Sequence, residues 1–144
     1  MRNAPIGIYD SGLGGLSVAR EIRGMMPGED LVYVADSAWC PYGERSREEI
    51  MARASFVTDA LAARGCKMVV LACNTATIAA VDSLRRTHAF PIVGMEPAIK
   101  PAVESTRSRT IGVLATTASL KGEKFLQLVE RFAVPAGVRV IPVA

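Results

Sequence analysis

Residues 68–75 read Met68-Val69-Val70-Leu71-Ala72-Cys73-Asn74-Thr75. The apolar run from Met68 to Ala72 has no polar alternation. A strand with one wet face would alternate; an unbroken run is what a strand covered on both faces needs. The run stops at Cys73-Asn74-Thr75, and helical spacing takes over from about Thr75 to Thr87. Strand, short polar turn and helix make half of a βαβ unit, which places strands in parallel with helices packed on the sheet.

The same grammar extends in both directions. Upstream, Ser46-Arg47-Glu48-Glu49 is a capping-box pattern that opens a helix running to about Arg64. Ile50, Ala54, Val57 and Leu61 fall on one face of it, and Gly65 suits its termination. Further upstream, Ile6–Tyr9 is a short strand, Asp10-Ser11-Gly12-Leu13-Gly14-Gly15 a glycine-rich turn, and Leu16–Met26 a helix ended by Pro27-Gly28. Leu31–Ala35 is a second strand, followed by a loop over Asp36–Arg45 that contains Cys40-Pro41-Tyr42-Gly43. Downstream, Pro91–Met95, Thr110–Ala115 and Val138–Val143 read as strands and Glu123–Phe132 as a helix. The alternation predicts an α/β fold: an open parallel sheet with helices on both faces, flavodoxin-like. A composition change over Glu96–Arg109, two prolines and then polar residues, marks a domain junction.

Composition narrows the function classes. Half of the 144 residues are apolar and 22% are charged, a globular and not a disordered balance. The net charge of +3 comes from scattered Lys and Arg, which reads as a solvated face and not a nucleic-acid patch. No apolar run approaches the roughly 20 residues that span a bilayer. Met1-Arg2-Asn3-Ala4-Pro5 leads straight into the first strand with no signal-peptide pattern, so a cytoplasmic protein is expected. Cys40, Cys66 and Cys73 are then expected as reduced thiols. With no C-x-x-C spacing and a single histidine, His88, no metal site is expected.

In open parallel sheets, ligands bind outside the carboxyl ends of the strands. The unusual polar residues gather there: Asp10 and Ser11 after the first strand, Asp36 after the second, Cys73-Asn74-Thr75 after the third, Glu96 after the fourth, Thr116-Thr117 after the fifth. Any one of them could be a helix cap; several on one rim suggest a site. Cys73 has two readings, a thiolate favoured by the helix terminus that follows it or a small buried apolar residue. Its polar neighbours favour the first. Cys66, at a helix-to-strand connection, reads as core. Cys40 is either beside the site or merely exposed, and His88 reads as a surface residue complementing a helix dipole. Gly12–Ser17 approaches a dinucleotide fingerprint, with Asp36 where a ribose-binding acid would stand. Ser17 in place of a small third residue, and Asp10 beside the pyrophosphate position, weaken that reading.

Five segments carry a resemblance. They are Ile8–Val18, Pro41–Ser46, Ala72–Thr77, Gly94–Pro97 and Ile111–Thr116, in the same order along the chain. Together they resemble the glutamate racemases. The resemblance implies cofactor-independent racemisation of L-glutamate to D-glutamate for peptidoglycan synthesis, by proton exchange between two thiols. Cys73 corresponds to one of those thiols, and Asp10 to the acid that assists it. Asp10, Ser11, Pro41, Tyr42, Gly43, Asn74, Thr75, Thr116 and Ser119 correspond to substrate-binding positions. No cofactor is implied, and no lysine stands on the rim for a pyridoxal group. Glutamate is the implied ligand, with neither nucleic acid nor membrane as partner; homodimers are common in the family. Its members are nearly twice as long and carry a second catalytic cysteine, to which nothing here corresponds. The implied organisation is a first lobe over residues 1–97 lacking its C-terminal segments, and the beginning of a second lobe over 98–144. Two further readings stand beside it: a racemase for aspartate or another amino acid, and a non-catalytic flavodoxin-like or nucleotide-binding module.

Overall fold

The structure, a computed structural model, describes residues 4–144; the reading of Met1–Asn3 lies outside the described residues. Four strands, β1 (Ile6–Asp10), β2 (Leu31–Ala35), β3 (Met68–Leu71) and β4 (Ile92–Gly94), form a sheet in the order β2-β1-β3-β4. Every pairing is parallel. Three helices connect them: α1 (Leu16–Met25), α2 (Arg47–Ala63) and α3 (Asn74–Thr87). Two short 3₁₀ turns, Ser37–Trp39 and Tyr42–Glu44, shape the loop between β2 and α2.

The side-chain period of two sorts the residues of β1 and β3 onto two faces. Tyr9, Val69 and Leu71 join Val57, Leu61, Ala80 and Leu84 of α2 and α3 in one cluster. Ile6, Ile8, Val70 and Ala72 join Ile22 of α1 in another. All five residues of β1 are buried, as the centre of a sheet covered on both sides demands. The capping box at the head of α2 is made: Ser46 Oγ accepts from the Glu49 amide at 3.2 Å, and Glu49 Oε2 accepts from the Ser46 amide at 2.9 Å.

The sheet does not continue into the last third of the chain. β5 (Thr110–Leu114) and β6 (Arg139–Val143) pair in parallel with each other, as a separate two-stranded sheet. Ile99, Ile111, Phe125 and Leu128 form its own core. The supposed junction contains a helix, α4 (Ile99–Ser105), that the sequence reading missed. Pro101 is its third residue, where the amide has no partner within the helix, so the ring costs nothing. A one-turn helix, α5 (Thr117–Leu120), was missed as well; α6 (Glu123–Leu128) continues as a π-helical turn over Val129–Ala133.

One side chain departs from expectation and another meets it. His88 stands at the C-terminus of α3 as expected, but its ring is only 9% exposed, with Nδ1 3.0 Å from the Leu84 carbonyl and Nε2 3.0 Å from Asp59 Oδ1. Cys66 is buried as expected, and burial pushes its thiol up. Among the described residues, no helix is long and apolar enough to cross a membrane.

Candidate active site

Strand register places the first pair of groups. Tyr9 of β1 lies opposite Leu71 of β3. Two residues on, Ser11 Oγ stands 3.3 Å from Cys73 Sγ. Cys73 is the N-cap of α3, with extended backbone, and its sulfur accepts from the Ala76 amide at 3.5 Å. The thiol is buried, Ser11 half-buried, and the helix axis points its positive end at the sulfur.

Asp10, the residue before Ser11, is buried. Its Oδ2 accepts from the Gly15 amide at 2.8 Å, at the head of α1. Tyr33 steadies the turn from β2, its hydroxyl donating to the Gly12 carbonyl at 3.0 Å and lying 3.4 Å from Asp10 Oδ2. Burial and then the Asp10 carboxylate push the Tyr33 phenol up to about 12. Gly15 is fixed by close approach: a Cβ there would stand 2.8 Å from both Asp10 Cβ and Ala72 Cβ. The glycine-rich turn is thus folded around its own carboxylate, at the place where a nucleotide phosphate would need that amide.

Asp36, the supposed ribose acid, is committed too. Arg53 of α2 grips it with Nε on Oδ2 at 2.8 Å and Nη2 on Oδ1 at 2.6 Å. Tyr42 donates its hydroxyl to Oδ2 at 2.5 Å, and that hydroxyl also meets the hydroxyl of Tyr9. The Arg53 guanidinium holds the Asp36 carboxyl well below the usual carboxylate range. Burial, with Asp36 next, raises the Tyr42 phenol far above its ordinary value, and burial raises that of Tyr9. The Tyr42 side chain therefore faces the protein interior. Cys40 is exposed, its sulfur 3.9 Å from where a Gly12 side chain would begin.

A third cluster joins the two sheets. Thr75, in the first turn of α3, lies 3.2 Å from the hydroxyls of both Thr116 and Ser119. Thr116 donates to Ser119 Oγ at 3.0 Å and caps α5 by accepting from the Ser119 amide at 3.2 Å. Gly43 abuts the same threonine: a Cβ there would fall 2.7 Å from Thr116 Cγ2. Asn74, exposed, lines a cavity of about 280 Å³ with Pro97, Leu114 and Ser119. Thr75 lines a larger one of about 410 Å³, rimmed by Arg47, Asp82, Lys121 and Lys124. Neither is lined by Cys73, Asp10 or Ser11.

The structure thus brings Asp10, Ser11 and Cys73 together, and Gly43, Thr75, Thr116 and Ser119 together, with Asn74 beside both. Pro41 and Glu96 are exposed. Arg53, Tyr9 and Tyr33 were missed by the sequence reading. Only Arg53 left a trace there, a charge between Ile50 and Ala54 on the buried side of α2.

Comparison with known proteins places this geometry in context. A family model described as Asp/Glu/Hydantoin racemase matches residues 16–142. The glutamate racemase of Ectopseudomonas mendocina is 58% identical over 139 residues, which are 96% of this chain and 52% of that protein. That of Herpetosiphon aurantiacus is 49% identical over 144 residues, covering 100% of this chain and 56% of that protein. Among solved structures, Escherichia coli glutamate racemase in complex with L-glutamate and the activator UDP-MurNAc-Ala superposes with a TM-score of 0.88 at 36% identity, over 98% of this chain and 53% of that one. The Francisella tularensis glutamate racemase in complex with D-glutamate gives 0.74 at 31% identity, over 99% and 53%. The chain spans about half the length of the relatives it matches.

Proposed function

The chain belongs to the Asp/Glu/hydantoin racemase family, and from that premise we propose that it is the first half of a glutamate racemase. Residues 1–97 are its first lobe and 98–144 the beginning of its second. The complete enzyme interconverts L- and D-glutamate in the cytoplasm without a cofactor, supplying D-glutamate for peptidoglycan, and is proposed to act as a homodimer. The observation that carries the reading is the Ser11–Cys73 contact at 3.3 Å on the rim of β1 and β3, with buried Asp10 adjacent.

Each residue has a role in this reading. The Cys73 thiolate takes the α-proton, so that the S–H bond forms as the C–H bond breaks and the electron pair stays on the α-carbon. A second thiol, from the half outside this chain, delivers a proton to the opposite face; two bases make inversion possible without turning the substrate. Asp10 orders the turn that carries Ser11 to the thiol. Asn74, Thr75, Thr116 and Ser119 offer amide and hydroxyl groups to the substrate's amino and carboxylate groups. Segment 41–43 offers backbone to a carboxylate. Hydroxyls and helix-terminal amides placed in advance also favour the charge that develops as the proton leaves.

The test is a substrate panel on the full-length protein. Glutamate is expected to be racemised in both directions, and aspartate and hydantoins to be poor substrates. Preference for aspartate would favour the second reading, which the breadth of the family's description keeps open. The nucleotide-binding reading has both of its acids engaged by Gly15, Arg53 and Tyr42. Equilibrium dialysis is expected to find no retained nucleotide. The isolated 144-residue chain, with one base only, is expected to be inactive or nearly so; turnover by it would refute the two-thiol scheme.

A further inference from the structure

Arg53 stands in the second turn of α2, and nothing above gives it a part in the reaction. It is nevertheless held on several sides. Its guanidinium lies 5.0 Å from the Trp39 ring centroid and 4.7 Å from that of Phe56. Its donor edge makes the two-pronged grip on buried Asp36. From Asp36 the hydrogen bonds continue through Tyr42 to Tyr9, the residue before Asp10.

The loop that these contacts hold has little of its own to fix it. The Asp36 amide donates to the Asp10 carbonyl at 2.8 Å; beyond it, up to Arg45, the backbone bonds are 3₁₀-type turns, Trp39 N to Asp36 O, Cys40 N to Ser37 O and Arg45 N to Tyr42 O. Side chains therefore set its position. Arg45 also stacks on Trp39, at 4.6 Å, and donates Nε to the Trp39 carbonyl at 2.7 Å. At the far end, Gly43 rests against Thr116, the bridge to the second sheet. A displacement at Asp36 would therefore be felt at segment 41–43 and at the Thr75–Thr116–Ser119 cluster.

We infer that Arg53 is a positioning residue: through Asp36 and Tyr42 it sets where segment 41–43 meets the substrate carboxylate. The inference rests on the glutamate-racemase reading above. Charge alone does not suffice. Arginine meets a carboxylate with a planar fork and stacks on rings, whereas lysine brings one point charge on a flexible stem.

The experiment compares Arg53→Lys and Arg53→Met with the wild type in the full-length protein. It measures kcat and KM for both glutamate enantiomers, together with thermal melting. Both variants are expected to raise KM about tenfold with kcat within about threefold, because ground-state placement of the substrate is what is lost. Lysine is not expected to rescue. A purely structural role would lower the melting temperature and leave KM unchanged in the folded fraction, and that result overturns the inference. So does full rescue by lysine. Should neither Arg53 variant fold, Tyr42→Phe keeps the ring and cuts only the hydroxyl link. It must then reproduce the rise in KM, and an unchanged KM overturns the inference. A wild type inactive on glutamate would instead remove the underlying reading, and is distinguishable from an active wild type with indifferent variants.

Discussion

Asp36 shows how one residue's environment becomes a measurable property. Its pKa is depressed, chiefly by Arg53, so the stability it contributes is present above the unfolded carboxylate value of about 4 and is lost as pH falls through the folded one. Asp36→Asn is therefore expected to flatten the acid limb of a stability-versus-pH curve, read by denaturant melts. The tyrosines work in the opposite sense. All three are raised, Tyr33 to about 12. Their stability is complete below the unfolded value of about 10 and declines as pH rises towards the folded ones. Near-ultraviolet titration is expected to show little tyrosinate at pH ~11 in the folded chain, against a normal transition in denaturant. An ordinary transition in the native chain would mean that the Tyr9–Tyr42–Asp36 chain is not formed. At this scale Asp10, Ser11 and Cys73 were legible because strand ends in a parallel sheet mark the ligand rim. Arg53 and Tyr9 were not, because their partners lie 17 and 33 residues away and only the folded loop joins them.

Local chemistry fixes most elements, and single substitutions should report it. Ser46→Ala removes the side-chain acceptor at the head of α2 and is expected to cost about 1 kcal/mol in a denaturant melt. Gly15→Ala pushes a methyl against Asp10 and Ala72, a clash of backbone-linked Cβ atoms that cannot rotate away. A loss of roughly 1–3 kcal/mol is expected, because the turn and Asp10 must move. A loss near zero would show that the turn is looser than its contacts imply. The strands were readable from their apolar runs, since burial on both faces leaves no other pattern. α4 was not: Pro97 and Pro101 look like breakers in a linear reading, and only the position of Pro101 within the first turn makes it harmless. α5 is one turn long and rests on Thr116, too short for any periodicity to announce it.

For the whole molecule, alternation of strand and helix predicted the doubly covered parallel sheet, and the order β2-β1-β3-β4 realises it. Alternation could not say that β5 and β6 would pair apart, since a strand's sequence does not name its neighbour. The small sheet leaves Leu114, Ile141 and Val143 exposed, Leu114 by 85%. Contiguous apolar surface of this kind drives association. The isolated chain is expected to self-associate in sedimentation velocity, and Leu114→Lys with Ile141→Lys to reduce that; a concentration-independent monomer would contradict it. The central proposal is that Cys73 is a base that exchanges the α-proton of glutamate. The direct test incubates the full-length protein with L-glutamate and, separately, D-glutamate in D₂O, beside a Cys73→Ser variant, and follows the α-hydrogen signal by NMR. The account predicts exchange with inversion from either enantiomer in the wild type, and at least about a hundredfold loss of inversion in Cys73→Ser. Wild-type inversion surviving in the variant, or no exchange at all with glutamate, would contradict it.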